Sequence, residues 1–427
     1  MELNKTFTNG LWNKEINVSD FVSKNIAPYT GDASFLQGPT ERTKRIWDLC
    51  LKALEEEIKM FSGTKEVLCV NSWTSGAIMM LRWLGVKAGD EVIVPAYTYS
   101  ATALAVLHAG AKPVMVDSGT DFNISVEAIR NAVTPKTKAI IPVDIAGFPC
   151  DYDRIMQLVN EPEIHDLFQA SSPVQEKLGR ILVMNDAAHS LGAYYTRNQR
   201  TGCETDIAIF SLHAVKNVTT AEGGAICLNL PEPFDNAELY KELRMMSLNC
   251  QTKDAFSKSK AGSWRYDIVG LGMKINMADV NAAIGLAQIR EYPELLKERK
   301  RVFNIYSEGF ADCDWALLPP SVDREKESSY HIYALRIKGF TEEQRDHMID
   351  EIAKSEVAVN VHFIPMPMLS FFHSLGYDIK DYPQAYENFK GEISLPIYPQ
   401  LNEEQLQFII KVVKKAYCKV VNNDSLL

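Results

Sequence analysis

The chain has 427 residues, 46% hydrophobic and 23% charged, which is ordinary for a globular protein with one large and one smaller domain. Its formal net charge of -10 argues against nucleic acid as a partner, because phosphate backbones bind to basic surfaces. No run of about 18 apolar residues occurs and no apolar leader opens the chain, so neither a transmembrane helix nor a secretory signal is expected.

The first two thirds of the chain alternate between strand-like and helix-like segments. Residues 1–40 predict an irregular N-terminal arm, and apolar residues at helical spacing predict a helix over 43–60. Short apolar β-type runs follow at 67–70, 91–94, 113–116, 139–143, 181–184, 207–210 and 225–228. Helical segments separate several of them, at 75–84, 99–109 and 125–132. This alternation predicts an α/β fold, a three-layer α/β/α domain with a mostly parallel seven-stranded sheet.

Three segments within and after this region have a different character. Residues 155–180 show little periodicity and are interpreted as an extended surface insertion. Residues 253–260 are rich in lysine and serine and predict a mobile loop. Residues 279–289 predict a buried helix, with Val280 and Ile284 among the inward-facing positions.

The last third of the chain predicts a smaller α+β domain. A long amphipathic helix at 293–310 leads into it. Its predicted elements are strands at 333–337 and 357–361 and helices at 342–354 and 403–416. The chain is accordingly divided into an N-terminal arm, a large cofactor-binding domain and a small C-terminal domain, at 1–40, 41–292 and 293–427.

Lys216 is the first candidate for chemistry. It lies between the sixth strand and two glycines that open the seventh. Ligands of parallel α/β sheets bind beyond the carboxyl ends of the strands, so a lysine here can point into the ligand crevice. Schiff-base chemistry needs a lysine whose pKa is lowered by burial or by neighbouring positive charge. A lone lysine in such a loop is more often an exposed surface residue.

Other strand ends carry further candidates. Asp186 ends the fifth strand, where a carboxylate can pair with a protonated ring nitrogen or cap the next helix. Thr74 and Ser75 open a helix whose N-terminal N–H groups can bind a phosphate, or they serve as ordinary caps. Tyr99, beyond the second strand, can stack on a planar ring or belong to the core. Each residue is ambiguous alone, and only the combination is specific.

In combination, these segments resemble the sugar aminotransferases of the DegT/DnrJ/EryC1/StrS family, which are pyridoxal-phosphate enzymes of fold type I. The matching segments are 74–77, 89–95, 109–114, 186–193, 211–224, 276–288, 362–365 and 394–396. The resemblance covers about residues 40 to 415 and implies pyridoxal 5'-phosphate as the cofactor. In this resemblance Lys216 corresponds to the lysine that holds the cofactor as a Schiff base. Asp186 corresponds to the partner of the pyridine nitrogen.

The resemblance also implies the remaining contacts. The implied cofactor contacts are His189 near the phenolic oxygen, Tyr99 on the ring, and Thr74, Ser75 and Ser211 at the phosphate. Asn276 resembles an asparagine that reaches the phosphate from the neighbouring subunit, which implies a homodimer with a shared active site. His331 and His362 fall in stretches that border the sugar site, although either could equally be a hydrogen-bonded structural histidine. Asn185 departs from the family, which usually has an acidic residue there.

The expected reaction is the transamination of a nucleotide-linked keto-sugar, with a 4-keto-6-deoxy hexose as acceptor and L-glutamate as donor. Such a reaction belongs to amino-sugar and surface-polysaccharide biosynthesis. Alternative acceptors are a 3-keto sugar or a keto-inositol, and a further alternative is a non-catalytic binding or regulatory relative. The family's dehydratases replace the lysine with histidine, so Lys216 disfavours that activity.

Other enzyme classes find little support. The histidines form no H-E-x-x-H pattern, so no metal site is expected, and no G-x-G-x-x-G follows an early strand, which disfavours a nicotinamide enzyme. The eight cysteines are scattered without a C-x-x-C pair, and Cys69 and Cys227 are expected in the core. A reducing cytoplasm is the expected location.

Overall fold

The computed structural model describes residues 41–252 and 265–424. The predicted N-terminal arm and the predicted loop at 253–260 therefore lie outside the described residues. Within the described ranges, no helix combines the length and the apolar character needed to cross a membrane.

The strands of the first part of the chain follow the predicted apolar runs closely. They are β1 (Glu66–Val70), β2 (Glu91–Pro95), β3 (Lys112–Val116), β4 (Thr137–Ile140), β5 (Leu182–Asp186), β6 (Tyr194–Thr196), β7 (Gln199–Arg200), β8 (Ile207–Ser211) and β9 (Gly224–Leu228). Seven of them form one sheet in the order β1-β9-β8-β5-β4-β2-β3. Strand β9 runs antiparallel to its two neighbours, β1 and β8, and the remaining strands are parallel to one another, so the predicted seven-stranded, mostly parallel sheet is confirmed. The strands read as continuous apolar runs because both faces of the sheet are buried.

Helices cover the sheet on both faces. They are α1 (Glu41–Ser62), α2 (Trp73–Trp83), α3 (Ala101–His108), α4 (Val126–Ala132), α5 (Tyr152–Asn160), α6 (Pro162–His165), α7 (Pro173–Leu178) and α8 (Asn236–Met246). The interpretation of 155–180 as an extended insertion is wrong, because most of it is helical. Proline at the first helical position starts α6 and α7, and Ile155 and Leu158 of α5 bury their side chains against the sheet.

A single long helix, α9 (Asp279–Phe310), replaces the two predicted helices. Pro293 lies inside it without ending it. The prediction that Val280 and Ile284 face inward is wrong, since both are exposed in this chain. The inward face of this part of α9 consists instead of small and apolar residues around Ala282 and Leu286. The proposed domain boundary at 292 falls within α9 and stays a prediction.

The C-terminal part forms a second core. Its elements are β10 (Ala316–Leu317), β11 (Val322–Asp323), β12 (Lys326–Glu327), β13 (Tyr333–Ile337), α10 (Glu342–Ala353), α11 (Ser370–Ser374), α12 (Pro383–Lys390), β14 (Glu392–Leu395) and α13 (Glu403–Asp424). Strands β10, β13 and β14 form an antiparallel sheet packed against helices, as an α+β arrangement requires. The predicted strand at 357–361 is wrong: only Asn360 pairs, in a single bridge to Ser394. This bridge places the following residues at the edge of the main cavity.

Candidate active site

One cavity of about 400 Å³ lies beyond the carboxyl ends of the central strands. Eight of the ten predicted site residues line it: Thr74, Tyr99, Asp186, His189, Ser211, Lys216, His331 and His362. They come from segments up to 288 residues apart in the chain, and the sheet brings them together because parallel strands end at one edge. Ser75 and Asn276, the other two, do not line the cavity.

Asp186 lies at the end of β5 with its carboxylate buried. Thr102 Oγ1 donates a hydrogen bond to Oδ2 at 2.8 Å, and the Ala188 N–H donates to Oδ1 at 3.2 Å. Burial raises the pKa of Asp186 to about 7, against the opposite effect of these two donors and of the positive charge on Lys216. A cation placed against this carboxylate would therefore stabilise its ionised form.

Lys216 lies in the loop between β8 and β9. Its backbone N–H donates to the His213 carbonyl at 2.9 Å, which closes a turn beyond the strand end. Burial lowers the pKa of Lys216 to about 8, and the nearby Asp186 carboxylate acts in the opposite direction. The amine thus has an appreciable neutral, nucleophilic fraction near neutral pH, which an ordinary lysine lacks.

The N-terminus of α2 forms another wall of the cavity. Ser72 caps this helix, because its Oγ accepts the N–H of Ser75 at 3.1 Å. The first N–H groups of a helix have no partner inside the helix, so they are available to an anion at this end. Gly224 permits the close approach of α2 to β9: a Cβ there would lie 2.7 Å from the Trp73 nitrogen. Ser211 Oγ, at the end of β8, adds a hydroxyl group to the same cavity.

Imidazole and phenyl rings line a further part of the cavity. His189 and His331 lie with ring centroids 4.6 Å apart, and Phe363 stacks on His189 at 5.8 Å. Burial lowers the pKa of both histidines well below the ordinary value, and the charge on Lys216 adds to this effect. The Nδ1 atom of His189 is buried without a hydrogen-bond partner among the described residues. Tyr99 is 61% exposed at the cavity and contacts Phe363.

Several residues of the site were not predicted. Thr102 is the main one: it lies on α3, and only packing of that helix on β5 brings its hydroxyl to Asp186. Asn217 follows Lys216 directly, and its Oδ1 lies 2.8 Å from His331 Nδ1. His213 and Glu222 also line the cavity, with His213 Nε2 3.5 Å from Glu222 Oε1. Adjacency to Lys216 could have indicated Asn217, whereas nothing in the local pattern marks Thr102.

The departure at Asn185 has a physical explanation. Its amide Nδ2 donates to Asp144 Oδ2 at 3.1 Å and to Glu204 Oε1 at 2.6 Å. Burial raises the pKa of both carboxyl groups, that of Glu204 to about 7. A third acidic side chain would add a like charge to this buried cluster, whereas the amide supplies a donor to each of the two oxygens.

Comparisons with known proteins identify the class to which this chain belongs. The structure resembles Spr1654 of Streptococcus pneumoniae, assigned as a sugar aminotransferase and solved with pyridoxamine phosphate (TM-score 0.83, 41% identity, 88% of this chain and 96% of that one). A pyridoxal-phosphate form of the same protein matches with a TM-score of 0.82, 40% identity and the same coverage of 88% and 96%. The fold and site thus define a pyridoxal-phosphate-dependent aminotransferase of fold type I.

The chain belongs to the DegT/DnrJ/EryC1/StrS aminotransferase family, whose model matches residues 50–414. It is 32% identical over 373 residues to the spore coat polysaccharide biosynthesis protein SpsC of Bacillus subtilis, covering 85% of this chain and 88% of that protein. PseC of Helicobacter pylori, an aminotransferase involved in the biosynthesis of pseudoaminic acid, is 25% identical with a TM-score of 0.74, covering 89% of this chain and 97% of that one.

The residues present fit the cofactor. Pyridoxal phosphate carries a ring nitrogen, a phenolic oxygen, a phosphate and an aldehyde. The buried Asp186 carboxylate suits a protonated nitrogen, the unpartnered Nδ1 of the buried His189 suits a polar ring substituent, and the start of α2 suits a phosphate. The amine of Lys216, with its lowered pKa, suits the aldehyde.

Proposed function

We propose that this protein transfers an amino group from L-glutamate to a nucleotide-linked keto-sugar, with a 4-keto-6-deoxy hexose as the preferred acceptor. The observation that carries the proposal is the presence of Lys216 and Asp186 in one cavity, each with its pKa shifted toward neutrality by burial. A reactive amine and a buried carboxylate at opposite ends of a cofactor are the two groups that transamination requires. The proposed pathway is amino-sugar and surface-polysaccharide biosynthesis.

In this proposal the residues of the cavity have distinct roles. Lys216 would hold the cofactor through its amine and, when that amine is free, would move a proton to and from the reacting carbon, because the side chain stays tethered within reach. Asp186 would hold the ring nitrogen protonated, and Thr74, Ser211 and the N-terminal end of α2 would hold the phosphate, whereas Ser75 does not line the cavity. Bound pyridoxal phosphate supplies the electron-withdrawing ring that stabilises negative charge at the substrate carbon. His189 and Tyr99 orient the ring.

The sugar acceptor is supported by the cavity and by the relatives. His331 and His362 line the cavity, and burial lowers the pKa of both imidazoles, so they are neutral at physiological pH. Neutral imidazoles offer one donor and one acceptor, which suits a ligand rich in hydroxyl groups. The relatives SpsC and PseC are named for polysaccharide and pseudoaminic acid biosynthesis, which suggests a sugar acceptor here as well.

A homodimer with a shared site is part of the proposal. Asn276 does not line the cavity of its own chain. Exposed apolar residues on either side of it in the chain, which include Leu271 (87% exposed), Val280 and Ile284, provide an apolar surface. Exposed apolar residues concentrated in one stretch are typical of a protein–protein interface. A second copy seated there would bring its Asn276 toward the phosphate end of the first.

The proposal is tested by following the cofactor spectrum during the donor half of the reaction. Purified protein is loaded with pyridoxal phosphate and mixed with L-glutamate, with 2-oxoglutarate measured in parallel. We expect the visible band of the lysine-bound cofactor to fall, pyridoxamine phosphate to appear and one 2-oxoglutarate to form per site. Lys216→Ala and Lys216→Arg abolish the conversion, because neither keeps a nucleophilic amine, whereas the exposed control Lys241→Ala leaves it unchanged.

The acceptor is then identified with the pyridoxamine-phosphate form. A panel contains nucleotide-linked 4-keto-6-deoxy hexoses, nucleotide-linked 3-keto sugars and keto-inositols, and the return of the visible band reports amino transfer. Fastest return with a 4-keto-6-deoxy hexose supports the proposal. Fastest return with another acceptor rejects the 4-keto-6-deoxy hexose as the preferred acceptor but keeps transamination, and wild-type protein that never converts with L-glutamate rejects the donor.

A further inference from the structure

His362 is held by two polar residues of β14. Its Nδ1 lies 2.9 Å from Ser394 Oγ, and Ser394 Oγ lies 2.5 Å from Glu392 Oε1. The second carboxyl oxygen, Oε2, accepts the backbone N–H of His362 at 2.9 Å. Glu392 and Ser394 are two residues apart on a strand, so their side chains leave it on the same face. A continuous chain of hydrogen bonds therefore joins the fully buried Glu392 to the cavity.

This chain has two consistent arrangements, because a hydroxyl group donates one hydrogen bond and accepts another. When Glu392 is ionised, Ser394 donates to it and accepts from Nδ1–H, which leaves Nε2 of His362 as an acceptor. When Glu392 is protonated, it donates to Ser394, whose hydroxyl donates to Nδ1, and His362 carries its proton on Nε2. The imidazole is neutral in both, and Nε2 is the ring nitrogen left for a ligand.

The balance between the arrangements depends on Glu392. Burial raises the pKa of Glu392 to about 8. The hydrogen bonds from Ser394 and from the His362 N–H act in the opposite direction, as do the positive charges of Arg345 and Arg336. Burial and then the charge on Lys216 lower the pKa of His362 to about 4.

Apart from Glu392 and the charged Lys216, the titratable groups that face His362 stay neutral near physiological pH. They are the buried imidazoles of His189 and His331, with lowered pKa values, and Tyr97, whose hydroxyl donates to the His362 carbonyl and whose pKa is raised by burial. Near neutrality the carboxyl group, and not the imidazole, is thus the site that gains or loses charge.

We propose that Glu392 and Ser394 are positioning residues that determine whether His362 presents a hydrogen-bond donor or an acceptor to the ligand. A proton that enters at Nε2 displaces the Nδ1 proton onto Ser394, and the former hydroxyl proton passes to Glu392, so that one proton is gained in sum. A carbonyl or phosphate oxygen can only accept, and it is favoured when Glu392 holds the proton. The preference for a keto-sugar oxygen rests on the proposed function. The proton relay from His362 through Ser394 to Glu392 does not.

The relay is tested by observing the histidine tautomer directly. Full-length protein loaded with pyridoxal phosphate is labelled with ¹⁵N-histidine, and long-range ¹H–¹⁵N correlation spectra are recorded across a pH series. The His362 signal is assigned by its loss in His362→Gln. We expect Nε2–H at pH values below the pKa of Glu392, about 8, and Nδ1–H above it, with the ring neutral throughout.

Variants of the two β14 residues separate the relay from a structural role. Glu392→Gln must accept the His362 N–H through its oxygen, so its amide donates to Ser394, and His362 stays in the Nε2–H form at every pH. Ser394→Ala removes the pH-dependent exchange, and Ser394→Thr, which keeps the hydroxyl, restores it. Glu404→Gln, at an exposed position of α13, is the matched control and behaves as wild type.

Two results would overturn the inference: a wild-type tautomer that does not change with pH, or a Glu392→Gln protein that titrates like wild type. Conversion by L-glutamate is measured on the same samples. Protein that exchanges tautomers but does not convert supports the relay and rejects the proposed function. Protein that converts with a single, pH-independent tautomer rejects only the relay.

Discussion

Asp186 places an ionisable carboxyl group in a buried position, and burial disfavours its ionised form. Its pKa is raised to about 7 because the carboxylate lies away from solvent, and the hydroxyl of Thr102 is the strongest of the contacts that counter this shift. Near neutral pH the cofactor-free protein thus holds this group close to its titration midpoint. In the proposed complex a protonated ring nitrogen binds the ionised form, so cofactor binding and ionisation of Asp186 are linked.

We predict that Thr102→Val weakens the binding of pyridoxal phosphate at neutral and acidic pH. The affinity for pyridoxal phosphate is highest at pH values above the pKa of Asp186, and it decreases as the pH falls through that pKa. Removal of the Thr102 hydrogen bond raises that pKa further, so the loss begins at a higher pH. A hydrogen bond to a charged group contributes about 1.5–3 kcal/mol, which corresponds to about a tenfold to hundredfold loss of affinity.

Titration of cofactor-free protein at several pH values measures this effect. The pH dependence contributed by Lys216 is common to wild type and variant, so their difference isolates Asp186. Thr102→Ser restores the wild-type profile, and Ser100→Ala, which removes a neighbouring hydroxyl with no capping hydrogen bond, leaves it unchanged. Equal profiles for Thr102→Val and wild type would contradict the assignment of Thr102.

At the scale of elements, the start of α7 is hydrogen-bonded to the C-terminal end of α2. Ser172 Oγ and Gln175 Nε2 both donate to the Leu84 carbonyl, at 2.7 and 3.1 Å, so they satisfy a helix C-terminus that would otherwise lack a partner. Gly85, with φ +80°, turns the chain at this point. The side chain of Ser172 occupies the space that a Cβ on Gly85 would need.

We predict that Gly85→Ala destabilises the protein more than Gly179→Ala does. The two glycines have similar φ values, +80° and +75°, so both substitutions carry the same backbone strain. A Cβ at residue 85 would lie 2.4 Å from Ser172 Cβ, whereas a Cβ at 179 meets nothing within 4 Å. Overpacking of this kind costs about 1–3 kcal/mol, and urea unfolding midpoints measure the difference.

A second substitution tests the cause. Ser172→Gly in the Gly85→Ala background removes the atom that clashes, and its additional cost is smaller than the cost of Ser172→Gly in wild type. Such non-additivity is expected only for residues in contact. Strictly additive costs would mean that α7 does not dock on α2 as described.

At the scale of the whole molecule, the proposed homodimer places Asn276 of one chain at the active site of the other. We predict that Lys216→Ala and Asn276→Ala proteins regain activity when they are mixed and allowed to exchange subunits. In a mixed dimer one site receives both substitutions, and the other combines Lys216 with Asn276 from the partner. Random exchange of a twofold dimer therefore restores about a quarter of the wild-type sites.

The measurement is conversion by L-glutamate at a cofactor concentration too low to saturate Asn276→Ala. Mixing Lys216→Ala with wild type is the control, and it yields no more than the wild-type chains supply. If Asn276 acted within its own chain, the mixture would show only the summed activities of its components. Analytical ultracentrifugation of Leu271→Asp, which places a charge on the apolar surface, tests the interface separately.

The amino-acid sequence determined the layout of the sheet and the centre of the site. The main strands are continuous apolar runs because they are buried on both faces, so composition alone reveals them. Parallel strands end at one edge of a sheet, and Lys216 and Asp186 therefore come together from positions 30 residues apart. The role of each residue still depended on resemblance, since a lysine or an aspartate at a strand end has several ordinary explanations.

Only the tertiary structure decided the contacts that tune those residues. Thr102 reaches Asp186, and Glu392 and Ser394 reach His362, through the packing of separate helices and strands. Similarly, Val280 and Ile284 have the spacing of a buried face, yet they lie on the open side of α9. Local periodicity shows that a face is apolar but not what covers it, because the covering surface comes from a distant segment or from a second chain.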